Sequence, residues 1–280
     1  MTLKDWIGRS ESLADDITAY PVQAMAATLD APMPRPAPGT ALPPLWHWLY
    51  FLATAPQSEI GPDGHPRRGG FLPPVELPRR MWAGSQLEFL APITVGSRMV
   101  RSSTIEDVTE KNGRSGQLVF VKVRHEYRVE GSAAVALREF HDIVYRPAAS
   151  ANDPVAAPVA APSGETWRRD YKADDVFLFR YSALTFNGHR IHYDRPYVTG
   201  VEGYPGLIVH GPLLATLLLE LIRQNAPDAI VKRFHFRAIR PTFDINPFSV
   251  QARLEEGGRV KLWGRDHQGW LTMDGEAEIG

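Results

Sequence analysis

The stretch Pro212-Leu-Leu-Ala-Thr-Leu-Leu-Leu-Glu-Leu-Ile222 decides the fold. Proline is well placed at the first position of a helix, and Asn225 with Pro227 ends the run. Because leucine, alanine and threonine cover nearly every face, the helix is predicted to be buried. It is about half as long as the ~20 residues that a membrane span needs. We therefore expect a helix in the core of a protein without a membrane span.

Strand-like segments lie in both halves of the chain, where apolar residues alternate with polar ones or turns bound the apolar runs. They lie at residues 97–108, 119–129, 135–145, 230–239, 248–254, 260–263 and 270–279. A short aromatic run at 45–52 precedes the first group, as the leucine helix precedes the second. A buried helix followed by an antiparallel meander indicates a sheet wrapped around a helix. Two such units predict an α+β fold with two antiparallel sheets.

The length of 280 residues allows one large domain or two ordinary ones. Proline-rich segments at 32–44 and 147–162 are predicted to be extended connectors, and the second lies near the middle of the chain. We therefore predict a first domain at 1–148, a linker at 149–164 and a second domain at 165–280.

Composition excludes several classes of function. The 31 basic and 32 acidic side chains leave a formal charge of -1, which provides no electrostatic surface for nucleic acid or an anionic membrane. Cysteine is absent, so disulfides, thiolate-bound metals and a cysteine nucleophile are excluded. The N-terminus meets Asp5 and does not build the profile of a secretory signal, so a cytoplasmic protein is expected.

Three of the nine histidines fall in a short window, at His189, His192 and His210. Asn187 and Asp194 accompany the first two on a predicted loop, between the end of a strand and the next element. A titratable cluster on a loop beside a buried helix indicates acid/base chemistry. Any one of these side chains alone more often caps backbone groups, and it is the clustering that favours a catalytic role.

The start of the buried helix adds a second feature. Helix N-termini have free N–H groups and a positive dipole end, and here they face the histidine loop. Gly211 has no side chain, so a ligand oxygen can approach its N–H closely. This arrangement would stabilise negative charge developing on a carbonyl oxygen, such as that of a thioester. The alternative is that glycine and proline only begin a helix, as most such pairs do.

Two stretches together resemble a known family. Thr185-Phe-Asn-Gly-His-Arg-Ile-His-Tyr-Asp194 and Tyr204-Pro-Gly-Leu-Ile-Val-His-Gly-Pro-Leu213 closely resemble the hydroxyacyl-thioester dehydratase type 2 branch of the MaoC-like, hydratase-2 hotdog enzymes. Arg80-Met-Trp-Ala-Gly84 and Phe89-Leu-Ala-Pro-Ile-Thr-Val-Gly-Ser97 are similar to the degenerate first hotdog of these proteins. The resemblance implies a double hotdog that adds water to, or removes it from, acyl-CoA or acyl-carrier-protein thioesters without a metal or redox cofactor.

The resemblance also implies roles for single residues. The wider family has the motif D-x-N-P-x-H, and His192 matches its histidine while Gly211 matches the glycine that supplies an oxyanion N–H. Asn187 stands at the aspartate position and His189 at the asparagine position. An amide cannot act as a base, so His192 is expected to be the acid/base and Asn187 to orient the water or the imidazole. Asp194 or His189 would be the second polarising group.

Within this family, a double hotdog of this length with Glu202-Gly-Tyr-Pro-Gly206 looks like hydratases of short branched dicarboxylyl-CoA esters. These would convert itaconyl-CoA or 3-methylfumaryl-CoA (mesaconyl-CoA) to citramalyl-CoA. A distal carboxylate needs a cation, although any single arginine is more often a surface charge. The predicted substrate-binding residues are Arg190, Arg79, Arg80, Tyr193 and His210, with Arg67 and Arg68 nearby. Residues Lys232, Arg233, Arg237 and Arg240 either meet the phosphates of CoA or are exposed on a strand.

Four other functions stay open at this point. A (3R)-hydroxyacyl-thioester dehydratase of fatty-acid synthesis would share the site, and a hotdog thioesterase would use Asp194 to direct water onto the carbonyl. Asn187 in place of aspartate is compatible with a non-catalytic acyl-CoA-binding protein. A metalloenzyme could use His189, His192 and His210, although the chain has no cysteine to assist. Because a double hotdog contains its own pairing of halves, a homodimer is optional.

Overall fold

The computed structural model describes residues 2–113, 116–147 and 157–280. The strands within these residues are β1 Ser10–Asp16, β2 Arg79–Phe89, β3 Arg98–Gly113, β4 Gly116–Val129, β5 Leu137–Arg146, β6 Trp167–Tyr171, β7 Val231–Ala238, β8 Phe248–Leu254, β9 Arg259–Asp266 and β10 Leu271–Ile279. The α-helices are α1 Ala19–Thr28, α2 Asp175–Leu184, α3 Arg195–Gly200 and α4 Gly211–Asn225. The predicted α+β class is confirmed.

The ten strands form one antiparallel sheet in the order β1-β3-β4-β5-β2-β7-β10-β9-β8-β6. Counted from the outer edge towards the middle of the sheet, the first half has the order β1-β3-β4-β5-β2 and the second half has the order β6-β8-β9-β10-β7, so the two halves have the same topology. The halves meet where β2 pairs with β7, from Gly84 opposite Arg237 to Glu88 opposite Arg233. The two sheets expected from the sequence are therefore two halves of one continuous sheet.

Helix α4 is buried as predicted, and every residue from 213 to 222 is inaccessible to solvent. It packs against β8, β6 and β9 of the second half. The corresponding aromatic run of the first half forms only the 3-10 turn Trp46–Leu49. Both elements belong to one hydrophobic core that extends across the two halves. The first half thus has a reduced central segment, and the long central helix belongs to the second.

Two expectations differ from the structure in detail. The histidine loop follows the helix α2, not the end of a strand, and Asp174 caps that helix by accepting a hydrogen bond from the N–H of Phe177 at 2.8 Å. Apolar residues such as Val176 and Phe179 lie on the exposed side of α2, so they do not mark a single buried face. The first half of the predicted linker, residues 149–156, lies outside the described residues. The domain boundaries stay a prediction.

Candidate active site

The histidine loop, residues 185–194, connects α2 to α3. Asn187 folds its side chain back so that Oδ1 accepts the N–H of His189 at 3.0 Å. Tyr193 closes the loop from the other side, since its hydroxyl donates to the carbonyl oxygen of Gly188 at 2.9 Å. Both side chains therefore shape the loop through its backbone. Asn187 Oδ1 is already engaged in this role, which is the capping alternative considered above.

His192 is a buried imidazole with two unlike nitrogens. Its Nδ1 lies 2.7 Å from the carbonyl oxygen of Ile208, an acceptor, so Nδ1 carries the proton and Nε2 presents a lone pair. Burial lowers the pKa of His192 to about 4, and the hydrogen bond to Ile208 only partly offsets it. The residue is therefore neutral at physiological pH. A neutral imidazole with a free Nε2 is a candidate general base.

His210 lies directly against His192, with ring centroids 3.7 Å apart and planes 18° from parallel. Its Nε2 is 2.8 Å from Oγ of Ser182, and its Nδ1 has no partner among the described residues. Because His210 immediately precedes α4, this stacking brings His192 to the helix N-terminus. A side chain added at Gly211 would meet no atom within 4 Å, so the backbone there is open to a ligand.

A loop of the first half completes the site. Residues 61–67 lie against the histidine loop, and the N–H of Arg190 donates to the carbonyl oxygen of Asp63 at 2.9 Å. His65 Nδ1 is 3.0 Å from Oδ2 of Asp63, and the His65 ring lies 4.0 Å from the ring of His189. Sequence reasoning missed Asp63 and His65. The available signal was a histidine two residues after an aspartate in a glycine-containing loop.

Four imidazoles consequently form a row, His65, His189, His192 and His210, with neighbouring centroids 4.0, 5.5 and 3.7 Å apart. Burial lowers the pKa of His189 to about 2, assisted by the charges of His65 and His192. Burial also places the pKa of His210 well below its ordinary value. The pKa of His65 is lowered by burial too, but its hydrogen bond to Asp63 opposes the shift. The row is largely uncharged at neutral pH.

Two of the predicted arginines are engaged within the protein. Arg190 donates to Oδ2 of Asp194 at 2.9 Å and to the carbonyl oxygen of Pro62 at 2.9 Å. Arg79 forms an ion pair of 2.8 Å with Glu202, and both side chains are mostly buried. These two arginines tie the first half to the loops around the site.

Arg80 is different from both of them. It is partly buried, and it has no carboxylate partner within 4.0 Å among the described residues. Its charge lowers the pKa of His65, of His189 and of His141, so the guanidinium lies close to the imidazole row. Of the basic residues considered for the phosphates of CoA, Lys232, Arg233 and Arg237 are exposed residues of β7. Arg240 lies just beyond β7, with its guanidinium 4.0 Å from the carboxylate of Asp266.

Asp194 is also committed to structure. Its Oδ1 accepts the N–H of Tyr197 at 3.0 Å and caps α3, while its Oδ2 pairs with Arg190. These hydrogen bonds, first that of the Tyr197 backbone and then that of Arg190, hold the pKa of Asp194 below its ordinary value. The carboxylate is ionised, with one partner on each oxygen.

The histidines offer poor geometry for a metal ion. His192 and His210 stack face to face, so their nitrogens do not converge with those of His189 on one point. Ligand atoms of Asp63, His65 and His189 do lie within 4.8 Å of one another. However, Asp63 and His65 are already hydrogen-bonded together, and the charge of Arg80 opposes a cation there. The cluster fits proton chemistry better than metal binding.

Buried acid/base side chains beside an open helix N-terminus, in a sheet built from two similar halves, form the arrangement expected of a double-hotdog enzyme. A sequence model of the hydroxyacyl-thioester dehydratase type 2 family matches residues 45–244. The chain belongs to this family. The predicted enzyme class, a hydro-lyase acting on acyl-CoA thioesters, is confirmed at the level of the family.

Comparisons with individual proteins agree with this assignment. The chain is 46% identical to mesaconyl-C(4)-CoA hydratase of Chloroflexus aurantiacus, over 98% of this chain and 97% of that protein. It is 27% identical to the mitochondrial hydroxyacyl-thioester dehydratase type 2 of Schizosaccharomyces pombe, over 85% of this chain and 88% of that one. A conserved Mycobacterium tuberculosis protein with a double hotdog fold matches with a TM-score of 0.60 and 12% identity, over 98% of this chain and 96% of its own. The predicted double hotdog is confirmed.

None of the helices in the described part of the chain is both long and apolar enough to cross a membrane.

Proposed function

We propose that this chain adds water reversibly across the α,β double bond of a short branched dicarboxylyl-CoA, converting 3-methylfumaryl-CoA (mesaconyl-CoA) or itaconyl-CoA to citramalyl-CoA. The observation that carries the proposal is a neutral His192 with a free Nε2 beside the open backbone at Gly211. Addition of water to an enoyl thioester needs a base for the water and a donor for the oxygen of the enolate. The 46% identity to a mesaconyl-C(4)-CoA hydratase supports the choice of acyl group.

In this proposal Nε2 of His192 takes a proton from water as the water oxygen bonds to Cβ. The electron pair of the double bond moves through Cα onto the thioester oxygen. The N–H of Gly211, at the positive end of α4, stabilises the resulting negative charge. His210 is buried against His192, so its role in this proposal is to position that imidazole and not to contact substrate.

Arg80 is proposed to bind the distal carboxylate of the substrate. A partly buried cation without a counter-ion is costly, and an anionic ligand would compensate for its lost hydration. Arg190 and Arg79 are the weaker candidates, because each already pairs with a carboxylate of the protein. Tyr193 is assigned to holding the histidine loop rather than to contacting substrate.

A hydration assay with crotonyl-, itaconyl- and 3-methylfumaryl-CoA tests the function and the role of Arg80 together. The wild type should hydrate a dicarboxylyl-CoA faster than crotonyl-CoA. Arg80→Ala should raise KM for the dicarboxylyl-CoA by about 10- to 100-fold, the equivalent of one charged hydrogen bond. The KM for crotonyl-CoA should change little.

The exposed Arg67 is the matched control, because Arg67→Ala removes the same charge from a nearby loop. It should leave both KM values unchanged. An Arg80→Ala enzyme with equal losses on both substrates would contradict the carboxylate role. A wild type that hydrates none of the three esters would contradict the proposed function.

The second candidate is a (3R)-hydroxyacyl-thioester dehydratase, favoured by the match to the Schizosaccharomyces pombe protein of that name. A preference for straight-chain hydroxyacyl thioesters in the same assay would support it.

A thioesterase is less well supported, because both oxygens of Asp194 already have partners. Release of free CoA would reveal it, and binding without turnover would indicate an acyl-CoA-binding protein. Independence from metal and redox cofactors, a cytoplasmic location and an optional homodimer stay predictions.

A further inference from the structure

The loop at residues 61–67 belongs to the first half of the chain, yet it is built into the site of the second half. Two glycines allow the contact: a Cβ at Gly188 would come within 2.8 Å of the carbonyl oxygen of Gly64, and a Cβ at Gly64 would collide with the backbone of Gly188. The side chain of Arg190 holds the carbonyl oxygen of Pro62 at 2.9 Å. Backbone contacts of this kind hold His65 in a definite position.

The orientation of His65 is set by Asp63. With Nδ1 facing Oδ2 of the carboxylate at 3.0 Å, the Nδ1 proton is donated and Nε2 is left for other chemistry. Only 23% of the His65 side chain is exposed, and its ring lies against that of His189. A carboxylate that orients an imidazole also stabilises the imidazolium when a proton arrives.

Hydration needs two proton transfers, one from water and one to Cα. His192 is supported only by a backbone carbonyl, and Asn187 is an amide that cannot exchange a proton. Asp194 is paired on both oxygens. Among the described residues near the imidazole row, His65 is the histidine that has a carboxylate directly behind it.

We propose that His65, oriented by Asp63, is the second acid/base residue of this active site. It exchanges the proton at Cα while His192 exchanges the proton of the water. This inference rests on the proposed hydration of an acyl-CoA. The first half of the protein then contributes a catalytic residue and is more than a scaffold.

In hydration the two histidines exchange one proton each with the substrate. As water attacks, its O–H bond breaks and Nε2 of His192 receives the proton, while a C–O bond forms at Cβ. The enolate then takes a proton from Nε2 of the His65 imidazolium, which forms the Cα–H bond and leaves His65 neutral. The proton on His192 then returns to His65, either by way of His189, which lies between them, or through water. This transfer restores the starting state, in which His65 is protonated and His192 is neutral. In dehydration His65 removes the Cα proton and His192 protonates the departing hydroxyl.

The charged groups facing His65 support this assignment. Burial lowers the pKa of His65, and the charges of Arg80 and Arg68 lower it further. Asp63 acts in the opposite direction, both by its hydrogen bond and by its charge. Burial acts to raise the pKa of Asp63, but the hydrogen bonds from the side chain and backbone of His65 outweigh it and hold the pKa below its ordinary value, so the carboxylate stays ionised. The carboxylate therefore offsets part of the lowering of the His65 pKa, and it lies where it can stabilise a proton that His65 receives during turnover.

The test compares His65→Ala and His65→Gln with wild type in both directions of the reaction. Loss of an acid/base group should lower kcat by about 100-fold or more, with KM changed by less than about threefold. Added imidazole should restore part of the activity of His65→Ala. Dehydration of a substrate deuterated at Cα should show a larger isotope effect in His65→Gln than in wild type, because cleavage of that bond becomes slower.

Asp63→Asn tests the positioning role separately through the pH profile. Without the carboxylate the pKa of His65 falls, so the limb of the profile that reports His65 should move to lower pH. Glu59→Gln, which removes an exposed carboxylate shortly before this loop, is the control and should keep the wild-type profile. Melting temperatures of all variants show whether each is folded.

Several results would overturn the inference while the proposed function stands. A wild-type kcat in the folded His65 variants would overturn it. An unchanged pH profile in Asp63→Asn would also overturn it, and this second result serves as the test if the His65 variants are unfolded. Loss of wild-type activity on chelation, restored by Zn²⁺, would assign Asp63, His65 and His189 to a metal instead. If the wild type hydrates no acyl-CoA, the proposed function is wrong and the role of His65 falls with it.

Discussion

His192 owes its chemistry to what each ring nitrogen touches. The carbonyl oxygen of Ile208 selects the tautomer, and the stacked ring of His210 excludes water from one face. Burial then keeps the imidazole neutral, with a pKa of about 4. Such a side chain accepts a proton transiently without holding one at rest, which suits a base that must release the proton in each turnover.

His192→Ala should therefore lower kcat by about 100-fold or more, since the attacking water loses its base. The measurement is the spectrophotometric hydration assay at saturating substrate, with circular dichroism to verify folding. His235, on the exposed face of β7, is a matched control, and His235→Ala should retain wild-type activity. Near wild-type activity of His192→Ala would remove this residue from the catalytic role.

Helix α4 links the core to the chemistry. Its buried residues pack on β8, β6 and β9, and this packing fixes the direction of the helix axis. The axis in turn fixes where the first N–H groups point, because they are aligned with the helix. The leucines in the middle of α4 thus hold in place the N–H groups that we propose as the oxyanion donor.

Leu217→Ala should destabilise the protein by about 2–5 kcal/mol, through lost burial and the cavity left behind. Leu217 is completely inaccessible, whereas Leu254 on β8 is 47% exposed and provides the control substitution Leu254→Ala. Urea unfolding measures the two free energies. A loss below about 1 kcal/mol in Leu217→Ala would mean that α4 tolerates repacking at its centre.

Across the whole molecule, burial of histidine creates a sensitivity to acid. Six histidines have pKa values lowered by burial: His65, His125, His141, His189, His192 and His210. In the unfolded chain each titrates near its ordinary pKa of 6.5, whereas in the folded protein each stays neutral to lower pH. The unfolded state therefore binds more protons below pH 6.5, and stability falls as pH falls.

The melting temperature should thus decline steadily from pH 7 to pH 5, well above the range in which carboxylates titrate. His125→Gln should flatten this decline, because His125 is buried with its pKa lowered to about 3. His235→Ala should leave the slope unchanged. A melting temperature that stays constant down to pH 5 would show that the buried histidines take up protons without loss of the fold.

The sequence predicted the parts of the fold whose side chains follow a clear period. Helix α4 and strands β3, β4, β5 and β8 lie close to the predicted segments, because their apolar residues face a hydrophobic core. The residues of α4 and β8 belong to the core that spans both halves, and most of those of β3, β4 and β5 belong to a second cluster that includes Ile105, Val121 and Ile143. Strand β1 was missed, since nearly all its residues are exposed and show no alternation. Helix α2 was missed because its apolar residues lie on both its buried and its exposed sides.

The same distinction applies to the active site. Local spacing was enough to propose His189, His192 and Gly211 as site residues, since they lie on the histidine loop and at the start of α4, which are near each other in the sequence. The contribution of Asp63 and His65 could not be predicted in this way, and Arg80 was predicted only as one of several arginines. Those residues belong to the first half of the chain, and two features of the tertiary structure bring them to the histidine loop. The pairing of β2 with β7 joins the two halves, and the close backbone contact between Gly64 and Gly188 lets the two loops touch. Short-range periodicity carries no information about such contacts, because they depend on how distant elements pack.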